Sequence, residues 1–429
     1  MKTSFLRWAI ERGEFDDRFS MLYGNKTLMR QKSRYISALD RFSVKYGDGK
    51  VDNDVHIFSV PGRSEICGNH TDHNGGLVIG CAVDVDLILV ASPIAERKIN
   101  IMSEGFGFVS FDIDEAMKTP PEKFTTAALA AGVCAGFTDR GCSVGGFNAY
   151  ITSNVKRGSG LSSSAAFEAA VGTALNFYYN ENRLDAVEIA KISQYAEIEY
   201  FGKTCGLMDQ AICSIGGLVM IDFKNEAAPK IEKLDVDFSE LGISMCITDT
   251  GGDHSDLSDD YSAIPSEMKN VAAHFGQRIL RSVDSDALVA AIPELRRETG
   301  DRAILRALHF ADENIRVEEL KAAMLKHDAA KFLRIILESG ESSERLLQNI
   351  YSPKQIEHQG IALALEMSAR LLKGKNAAWR VHGGGFAGTV QAFVPNEFVE
   401  EFRVGMEKLF GQGSCTVMQV RSSGAVMVF

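Results

Sequence analysis

Seven polar side chains stand between glycines in one short stretch of this chain, residues 61–76. They are Arg63, Glu65, Asn69, His70, Asp72, His73 and Asn74. An ordinary turn needs only a few polar residues with special dihedral angles, so this stretch holds more donors and acceptors than a turn uses. Two interpretations follow from composition alone. The segment is either an elaborate solvated turn or a loop, held by apolar strands at 55–60 and 77–90, that hydrogen-bonds a polar ligand.

A second polar cluster opens a predicted helix directly after a glycine turn. The unpaired N–H groups and the positive dipole end of such a helix favour an anion, and glycines let the backbone approach phosphate oxygens. Serine capping alone is the alternative, but three consecutive serines after G-x-G-L favour a phosphate site. The spacing is not that of the G-x-x-x-x-G-K-[ST] loop. The cluster comprises Gly158, Ser159, Gly160, Leu161, Ser162, Ser163 and Ser164.

Carboxylates form a third set of candidates. Asp209 lies in an apolar stretch, which is unusual for an unpaired carboxylate, and Arg63 is an available cationic partner. Glu197 and Glu199 precede it on a predicted helix and offer oxygen ligands for magnesium. For each carboxylate a solvated or capping role is the alternative. A glycine cluster at 383–388 is, taken alone, better explained by close backbone packing in a hairpin.

Length and composition bound the class of protein. The chain has 429 residues, of which 45% are hydrophobic and 24% charged, so we expect an ordinary globular protein of two domains. A net charge of −11 argues against general binding to nucleic acid or to anionic membranes. The eight cysteines show no C-x-x-C spacing and predict reduced thiols in a cytoplasmic protein. No apolar run is long enough to cross a membrane, and charged residues near the N-terminus interrupt any signal-peptide core.

Hydrophobic periodicity predicts the elements that must position these residues. The first 50 residues have a helical, polar character and precede a mostly antiparallel meander of strands. Residues 224–236 are charged, contain Pro229 and are the best linker candidate. Helices dominate the second half, which closes with strands near 379–381, 389–394 and 415–420. In between we predict strands over 55–60, 77–92, 98–113 and 146–155, and helices over 125–137, 162–179 and 184–200.

Four of these segments together resemble the galactokinase branch of the GHMP kinases. The family motif G-R-x-N-L-I-G-E-H-T-D-Y-N-G-G corresponds to G-R-S-E-I-C-G-N-H-T-D-H-N-G-G at residues 62–76. The motifs G-x-G-L-S-S-S-A, C-G-x-M-D-Q and G-G-G-F-x-G stand at 158–165, 205–210 and 383–388. The similarity runs from about residue 55 to residue 429 in the family's order, which makes chance a poor explanation.

The resemblance implies a fold and a reaction. The fold is α+β with two domains: an N-terminal ribosomal-protein-S5-like domain, placed at 1–228, and a C-terminal ferredoxin-like α/β sandwich, placed at 229–429. The active site lies in the cleft between them. The reaction is the ATP-dependent phosphorylation of the anomeric (C1) hydroxyl of galactose or a closely related sugar. The expected partners are the sugar and ATP, without nucleic acid or membrane, and the protein is a monomer or weak oligomer.

The resemblance also implies a role for each matching residue. Asp209 is the catalytic base, and Arg63 keeps it ionised and stabilises charge on the transferred phosphoryl group. Residues 158–164 cradle the ATP phosphates, and Glu197 with Ser163 or Ser164 holds Mg²⁺. The sugar-contacting positions are Asn69, His70, Asp72, Gly206 and Tyr261.

Departures from the family pattern leave the substrate open. Asn69 stands where galactokinases have a Glu that reaches the sugar's 6-hydroxyl, and an amide would no longer repel a 6-carboxylate. Galacturonate is therefore an alternative substrate. A lesser alternative is a galactokinase-like sugar sensor that binds sugar and ATP but transfers nothing. Phe124-Thr-Thr-Ala127 replaces the family's W-x-N-Y, so the adenine contacts are not predicted. The remaining departures are Glu65 for Asn, His73 for Tyr, Lys156 for Pro and Ala387 for Gly.

Overall fold

The computed structural model describes residues 1–47, 52–156, 160–203, 205–225, 228–252 and 257–429. The helices are α1 (Thr3–Arg12), α2 (Asp16–Tyr23), α3 (Leu28–Tyr46), α4 (Ile113–Lys118), α5 (Thr126–Asp139), α6 (Ser163–Asn180), α7 (Ala186–Tyr195), α8 (Met208–Ile215), α9 (Ser258–His274), α10 (Ser285–Ala290), α11 (Ile292–Glu298), α12 (Asp301–Leu325), α13 (Ala329–Ser342), α14 (Gly360–Leu371) and α15 (Val399–Phe410). The strands are β1 (His56–Cys67), β2 (Leu77–Pro93), β3 (Lys98–Ser103), β4 (Gly107–Asp112), β5 (Phe147–Ser153), β6 (Leu218–Asp222), β7 (Lys230–Leu234), β8 (Ile243–Asp249), β9 (Ala378–His382), β10 (Thr389–Pro395), β11 (Cys415–Met418) and β12 (Val426–Met427).

The first sheet has eight strands in the order β12-β1-β2-β5-β3-β4, and β6 joins β2 to β7. Every pairing is antiparallel except that of β3 with β5. The long strand β2 organises the sheet, because its first half pairs with β6 and its second half with β5. The predicted strand over 98–113 is wrong in one respect: it is a hairpin of β3 and β4.

The strand β7 bears on where the domains divide. It pairs with β6 over five residues, from Leu218 opposite Leu234 to Asp222 opposite Lys230. The predicted linker over 224–236 therefore contains a strand of the first sheet. The division into 1–228 and 229–429 stays a prediction, and this pairing favours a boundary after Leu234. The chain also returns at its end, since β12 pairs with β1.

The N-terminal extension covers the second face of the first sheet. Side chains alternate along a strand, so Phe58 and Val60 pack under α5, α6 and α7 while Ile57 faces the other way. There it meets buried side chains of α1, α2 and α3, with the C-terminal Phe429 among them. Burying this face removes apolar area from water at roughly 25 cal/mol per Å². The first 46 residues are thus an integral layer of the domain.

A buried ionic network fastens this layer. Asp86 on β2 is fully buried and accepts hydrogen bonds from Arg34 at 2.8 Å and from the Tyr23 hydroxyl at 2.5 Å. Arg421, near the C-terminus, lies 3.5 Å from the same carboxylate. Because an unpaired buried charge is costly, two guanidiniums around one carboxylate hold the extension and the chain's end to the sheet.

The second sheet has four antiparallel strands in the order β11-β8-β10-β9. Helices α14 and α15 pack on it, and α13 contacts β9. Helix α12 runs from this domain to the first and contacts β1 and β2. Apolar residues of both domains form one continuous cluster that includes Ile66 and Phe393.

In the described part of the chain, no helix is long and apolar enough to cross a membrane.

Candidate active site

The strand β1 carries the first catalytic candidate into the cleft. It extends to Cys67, so Arg63 and Glu65 lie on a strand, not in the polar loop that the sequence predicts; the loop begins at Gly68. Register shifts on either side of Arg63 and Glu65 bend the strand there. Such bulges re-aim side chains and are common beside functional sites.

Arg63 and Asp209 form a bidentate ion pair. Arg63 Nε lies 2.7 Å from Asp209 Oδ1, and Nη2 lies 2.9 Å from Oδ2. Arg63 is 7% exposed, and the Asp209 side chain, in the first turn of α8, is 32% exposed. Burial alone would raise the pKa of Asp209, but Arg63, together with a hydrogen bond from Ser162, holds it below its ordinary value. Asp209 is therefore ionised at neutral pH and open to the cleft on one side.

The serine turn lies directly against this pair. Ser162 Oγ donates to Asp209 Oδ2 at 2.6 Å, Arg63 Nη1 donates to the carbonyl of Gly160, and the backbone N–H of Arg63 donates to the carbonyl of Leu161. Ser162 has a φ of +64°, a left-handed conformation that costs a non-glycine residue free energy and is often found at functional sites. Its side chain does not cap α6, and the first-turn N–H groups of a helix have no partner within the helix itself. Gly158 and Ser159 lie outside the described residues.

A cavity of about 220 Å³ opens beside the N-terminus of α6. Ser163, Ser164 and Lys156 line it together with polar, aliphatic and aromatic side chains, the aromatic ones being Phe106, Phe124, Phe167 and Phe201. The ring centroids of Phe124 and Phe201 lie 5.3 Å apart, edge to face. Aromatic side chains beside a helix N-terminus are suited to a nucleotide.

The second serine of the helix meets the candidate metal ligand. Ser164 Oγ donates to Glu197 Oε1 at 3.1 Å, and Glu197 is 2% exposed on the π-helical turn Ala196–Phe201. A hydroxyl and a carboxylate oxygen in contact are donors that suit Mg²⁺. Among the described residues no cluster of three or more acidic, His or Cys ligands occurs. Ser163 makes no such contact with Glu197 and only lines the cavity.

The sugar-binding candidates of the polar loop meet the glycine hairpin. His70 Nε2 donates to the carbonyl of Gly384 at 2.8 Å, and burial lowers the pKa of His70, which stays neutral. The ring of Tyr261 lies on Gly384, where a Cβ would come within 2.6 Å of it, and the hydroxyl donates to the carbonyl of Gly385 at 2.7 Å. The glycine hairpin, which belongs to the second domain, therefore packs against the polar loop of the first domain.

Asp72 and Gly206 also come together. A Cβ at Gly206 would lie 2.2 Å from Asp72 Oδ2, so no other residue fits there without displacing the carboxylate. Burial, together with the nearby charges of Glu65 and Asp209, raises the pKa of Asp72 to about 6. The structure thus places His70 and Tyr261 against the glycine hairpin, and Asp72 against Gly206 and within reach of the charge of Asp209. That these four residues contact a sugar stays a prediction.

Asn69 does not point freely into that cleft. It is 1% exposed, and its amide nitrogen donates to Gly383 O at 2.7 Å and to Glu65 Oε1 at 3.1 Å. Its oxygen accepts from Asn349 Nδ2 at 2.9 Å. The Asn69 side chain therefore joins the two domains, and a sugar contact through it stays a prediction.

The exchange at this position is reciprocal. The family motif has Asn at the position of Glu65 and Glu at the position of Asn69, so this chain keeps one carboxylate and one amide but swaps them. Arg380 donates to Glu65 Oε1 at 2.8 Å, and Oε2 accepts no hydrogen bond from any described residue. Glu65 is 4% exposed, and its charge raises the pKa of both Asp72 and His70, which places it close to the sugar-binding candidates. Sequence comparison treats the two positions separately and misses this pairing.

Other residues that the sequence did not single out come from the second domain. Arg380 and Asn349 carry no local motif and acquire their role only when the domains pack. His309 Nε2 lies 2.9 Å from the carbonyl oxygen of Asn69, and Glu313 accepts from the N–H of Gly68 at 3.0 Å. Both lie on α12, inside the segment 306–314 that weakly resembles the family. Their spacing of one helical turn was the available signal.

Two buried histidines at this junction predict a pH dependence of stability. Burial lowers the pKa of His309 to about 4 and that of His382 to about 3. The unfolded chain binds these protons near pH 6.5, so stability is complete above that pH and falls as the pH drops toward 4. The expected slope is about 1.4 kcal/mol per pH unit for each histidine. In urea titrations from pH 7 to pH 5, His309→Gln should lose stability less steeply than the wild type.

The exposed His358, changed to Gln, is the matched control and should keep the wild-type slope. Equal slopes for the wild type and the His309→Gln variant would contradict the neutral, buried state assigned to His309.

Two segments of the chain match models of known families. Residues 126–217 match the family GHMP kinases N terminal domain, and residues 40–93 match the galactokinase galactose-binding signature. The fold is that of the GHMP kinases, a two-domain α+β architecture.

Solved structures agree with this class. Lactococcus lactis galactokinase complexed with galactose superposes with a TM-score of 0.77 at 23% identity, over 91% of this chain and 99% of that one. Methanococcus jannaschii mevalonate kinase gives 0.59 at 17% identity, over 85% and 98%. A D-glycero-D-manno-heptose 1-phosphate kinase from Bacteroides thetaiotaomicron gives 0.58 at 17% identity, over 87% and 98%. The two matched segments and the shared fold support a galactokinase-like GHMP sugar kinase.

Proposed function

We propose that the protein transfers the γ-phosphoryl group of ATP to the C1 hydroxyl of galactose or a closely related neutral sugar. The observation that carries this proposal is the ionised Asp209, clamped by Arg63 beside the serine turn and facing the loop of His70 and Asp72. An acceptor hydroxyl held by that loop would thus lie between a carboxylate and an anion-binding helix terminus. The products are the sugar 1-phosphate and ADP.

Each part has a place in the reaction. The adenine would lie against the aromatic side chains of the cavity, Phe124 among them, and the phosphates at the N-terminus of α6. Ser164 and Glu197 would hold Mg²⁺, which neutralises phosphate charge when bound. The C1 oxygen attacks the γ-phosphorus, the bond to the β,γ-bridging oxygen breaks, and ADP leaves. Asp209 accepts the hydroxyl proton, while Arg63 faces the negative charge of the transferred group.

The reciprocal exchange bears on the choice of sugar. The galacturonate alternative assumes that the pocket has lost a carboxylate, since Asn69 replaces Glu. Glu65 supplies one from the neighbouring position, 3.1 Å from the Asn69 amide. Its Oε2 accepts no hydrogen bond from a described residue and can accept a sugar hydroxyl. A uronate carboxylate would meet like charge there, at a cost that makes it the poorer substrate. This favours galactose, and galacturonate remains the alternative.

A sugar panel tests both assignments. With Mg²⁺ and ATP, coupled ADP release should give a kcat/KM for galactose at least about 10²-fold above that for galacturonate, the selectivity expected when buried polar groups match one substrate. Glu65→Gln should lower kcat/KM for galactose about 10-fold or more, because the amide has only one accepting oxygen. The ratio of kcat/KM for galactose to that for galacturonate should therefore fall.

Asn69→Ala is the comparison variant. It removes the hydrogen bonds by which the Asn69 side chain links the two domains but leaves the Glu65 carboxylate. We therefore expect a lower kcat/KM for both sugars, with galactose still the better substrate. If Asn69→Ala reverses the order and Glu65→Gln does not, Asn69 is the selector and the Glu65 assignment is wrong. Sugar and ATP binding without ADP release for any sugar would instead favour the sensor.

A further inference from the structure

A lysine that neither the motifs nor the proposed mechanism uses lies at the candidate metal site. Lys203 follows the π-helical turn, and its Nζ lies 3.2 Å from Glu197 Oε1. The same oxygen accepts from Ser164 Oγ at 3.1 Å. The lysine side chain is 59% exposed, whereas the glutamate side chain is 3% exposed. The ammonium therefore lies on the open side of a buried carboxylate.

Two ion pairs lie next to each other at this site. Arg63 pairs with Asp209, and Lys203 pairs with Glu197. Gln210, the neighbour of Asp209 on α8, donates to the other oxygen of Glu197 at 2.6 Å, so the second pair lies close to the catalytic candidate. Glu168 is fully buried, and burial and the nearby Glu197 raise its pKa well above the usual range.

A divalent cation and this ammonium would repel each other at Glu197. Ser164 and Lys203 share Glu197 Oε1, and Gln210 Nε2 donates to Oε2 at 2.6 Å. A metal held by Ser164 and Glu197 would bring a second positive charge beside the ammonium. Lys203 would then give up its ion pair. Its four-carbon stem is flexible and its head is exposed, so the ammonium can move without disturbing the core.

We propose that Lys203 is a further catalytic residue: its ammonium, released by the metal, contacts the oxygens of the transferred phosphoryl group. This rests on the proposed kinase function. The lysine keeps its proton throughout, and no bond to it forms or breaks. It stabilises the negative charge that spreads over the phosphoryl oxygens, as a second cation opposite Arg63.

The test compares Lys203→Met, which keeps the length and removes the charge, with Lys203→Arg, which keeps the charge. Lys203→Met should lower kcat about 10²-fold with the KM for sugar little changed, as expected when one preorganised donor to the transition state is lost. Lys203→Arg should recover most of this loss. Lys123→Met is the matched control, because that exposed lysine lies against Gly202 and should turn over like the wild type.

A binding measurement gives a readout that does not need turnover. Calorimetry with Mg²⁺ should show that the wild type binds a non-hydrolysable ATP analogue more tightly than ADP, and that Lys203→Met loses this preference. Loss of folding in the Met variant would show in its thermal unfolding, and the Arg variant then carries the comparison. The proposal is overturned if kcat stays within about threefold while less Mg²⁺ is needed for half-saturation, since Lys203 would then only compete with the metal. Failure of the kinase function itself would appear as wild-type inactivity on every sugar, which leaves the nucleotide comparison intact.

Discussion

We expect Asp209→Asn to lower kcat by about 10³-fold and to leave galactose binding within a few-fold of the wild type. The amide has nearly the shape of the carboxylate but cannot accept the C1 proton, and general-base assistance is typically worth about 10²–10⁴-fold. Its NH₂ group would also face the Arg63 guanidinium, donor against donor, where the carboxylate now makes two bonds of 2.7 and 2.9 Å. Steady-state kinetics of ADP release, together with calorimetric titration of galactose, measure the two quantities.

Asp235→Asn is the control for this variant, because Asp235 is an exposed carboxylate outside the cleft. It should leave kcat unchanged. A fall of less than about tenfold for Asp209→Asn, with the fold intact, would mean that another group takes the proton. Loss of galactose binding with an unchanged kcat would make Asp209 a sugar ligand only.

The second large effect is expected for Arg63→Met. Without the guanidinium, burial raises the pKa of Asp209, so a smaller fraction of the base is ionised at neutral pH. We expect kcat to fall about 10²-fold near pH 7, and the acidic limb of the pH–rate profile to move to higher pH. Arg63→Lys should have a kcat between those of the wild type and Arg63→Met, because lysine keeps the charge but cannot form the bidentate pair. A pH profile of kcat/KM from pH 5 to pH 9 for all three proteins is the measurement.

Stability gives the same pair an independent readout. In the wild type, the stability from the lowered pKa of Asp209 is still present at the ordinary pKa of about 3.9 and is lost as the pH falls below it. In Arg63→Met, burial raises the pKa of Asp209, so the charged carboxylate costs the variant stability as the pH rises above about 3.9. The Arg63→Met penalty should therefore be larger at pH 7 than at pH 4. Since Asp209 is partly exposed, we expect Arg63→Met to lower the free energy of unfolding by roughly 1–3 kcal/mol at pH 7. This is less than the cost of breaking a fully buried pair. Arg370→Met breaks an exposed pair with Glu366 and should cost less than about 0.5 kcal/mol at either pH. Equal penalties for Arg63→Met at both pH values would show that the pair does not act through the charge of Asp209.

The local signals in the sequence were sufficient for much of the fold. The alanine-rich helix α5, the strand β5 and the helix α6 lie within a few residues of their predicted bounds, because each has its own period and its own turn. The segment 224–236 was misjudged since its charge and its proline are typical of a linker. The strand there exists because β6 offers a partner edge, and this is tertiary information. The role of the first 46 residues was likewise hidden, since it depends on a sheet face that only the fold creates.

In the candidate site, too, residues with a local sequence signal could be predicted, and residues whose role depends on tertiary contacts could not. Arg63 and Asp209, 146 residues apart, could be paired in advance because a carboxylate in an apolar stretch demands a cation. The pairing of Glu65 with Asn69 could not, because its significance lies in the contacts of Arg380 and Asn349 from the other domain. Lys203 escaped notice for a simpler reason: a lysine in a polar loop is usually a solvated surface residue, and only the carboxylate beneath it makes it unusual.

The most direct test of the central claim is the identity of the product. Wild-type protein, galactose, ATP and Mg²⁺ are incubated, and the reaction is followed by ³¹P NMR. A sugar phosphate signal coupled to the anomeric proton should grow in step with ADP, and Asp209→Asn should suppress both together. Phosphate on a different sugar oxygen, or ADP formed with inorganic phosphate and no sugar phosphate, would contradict the account.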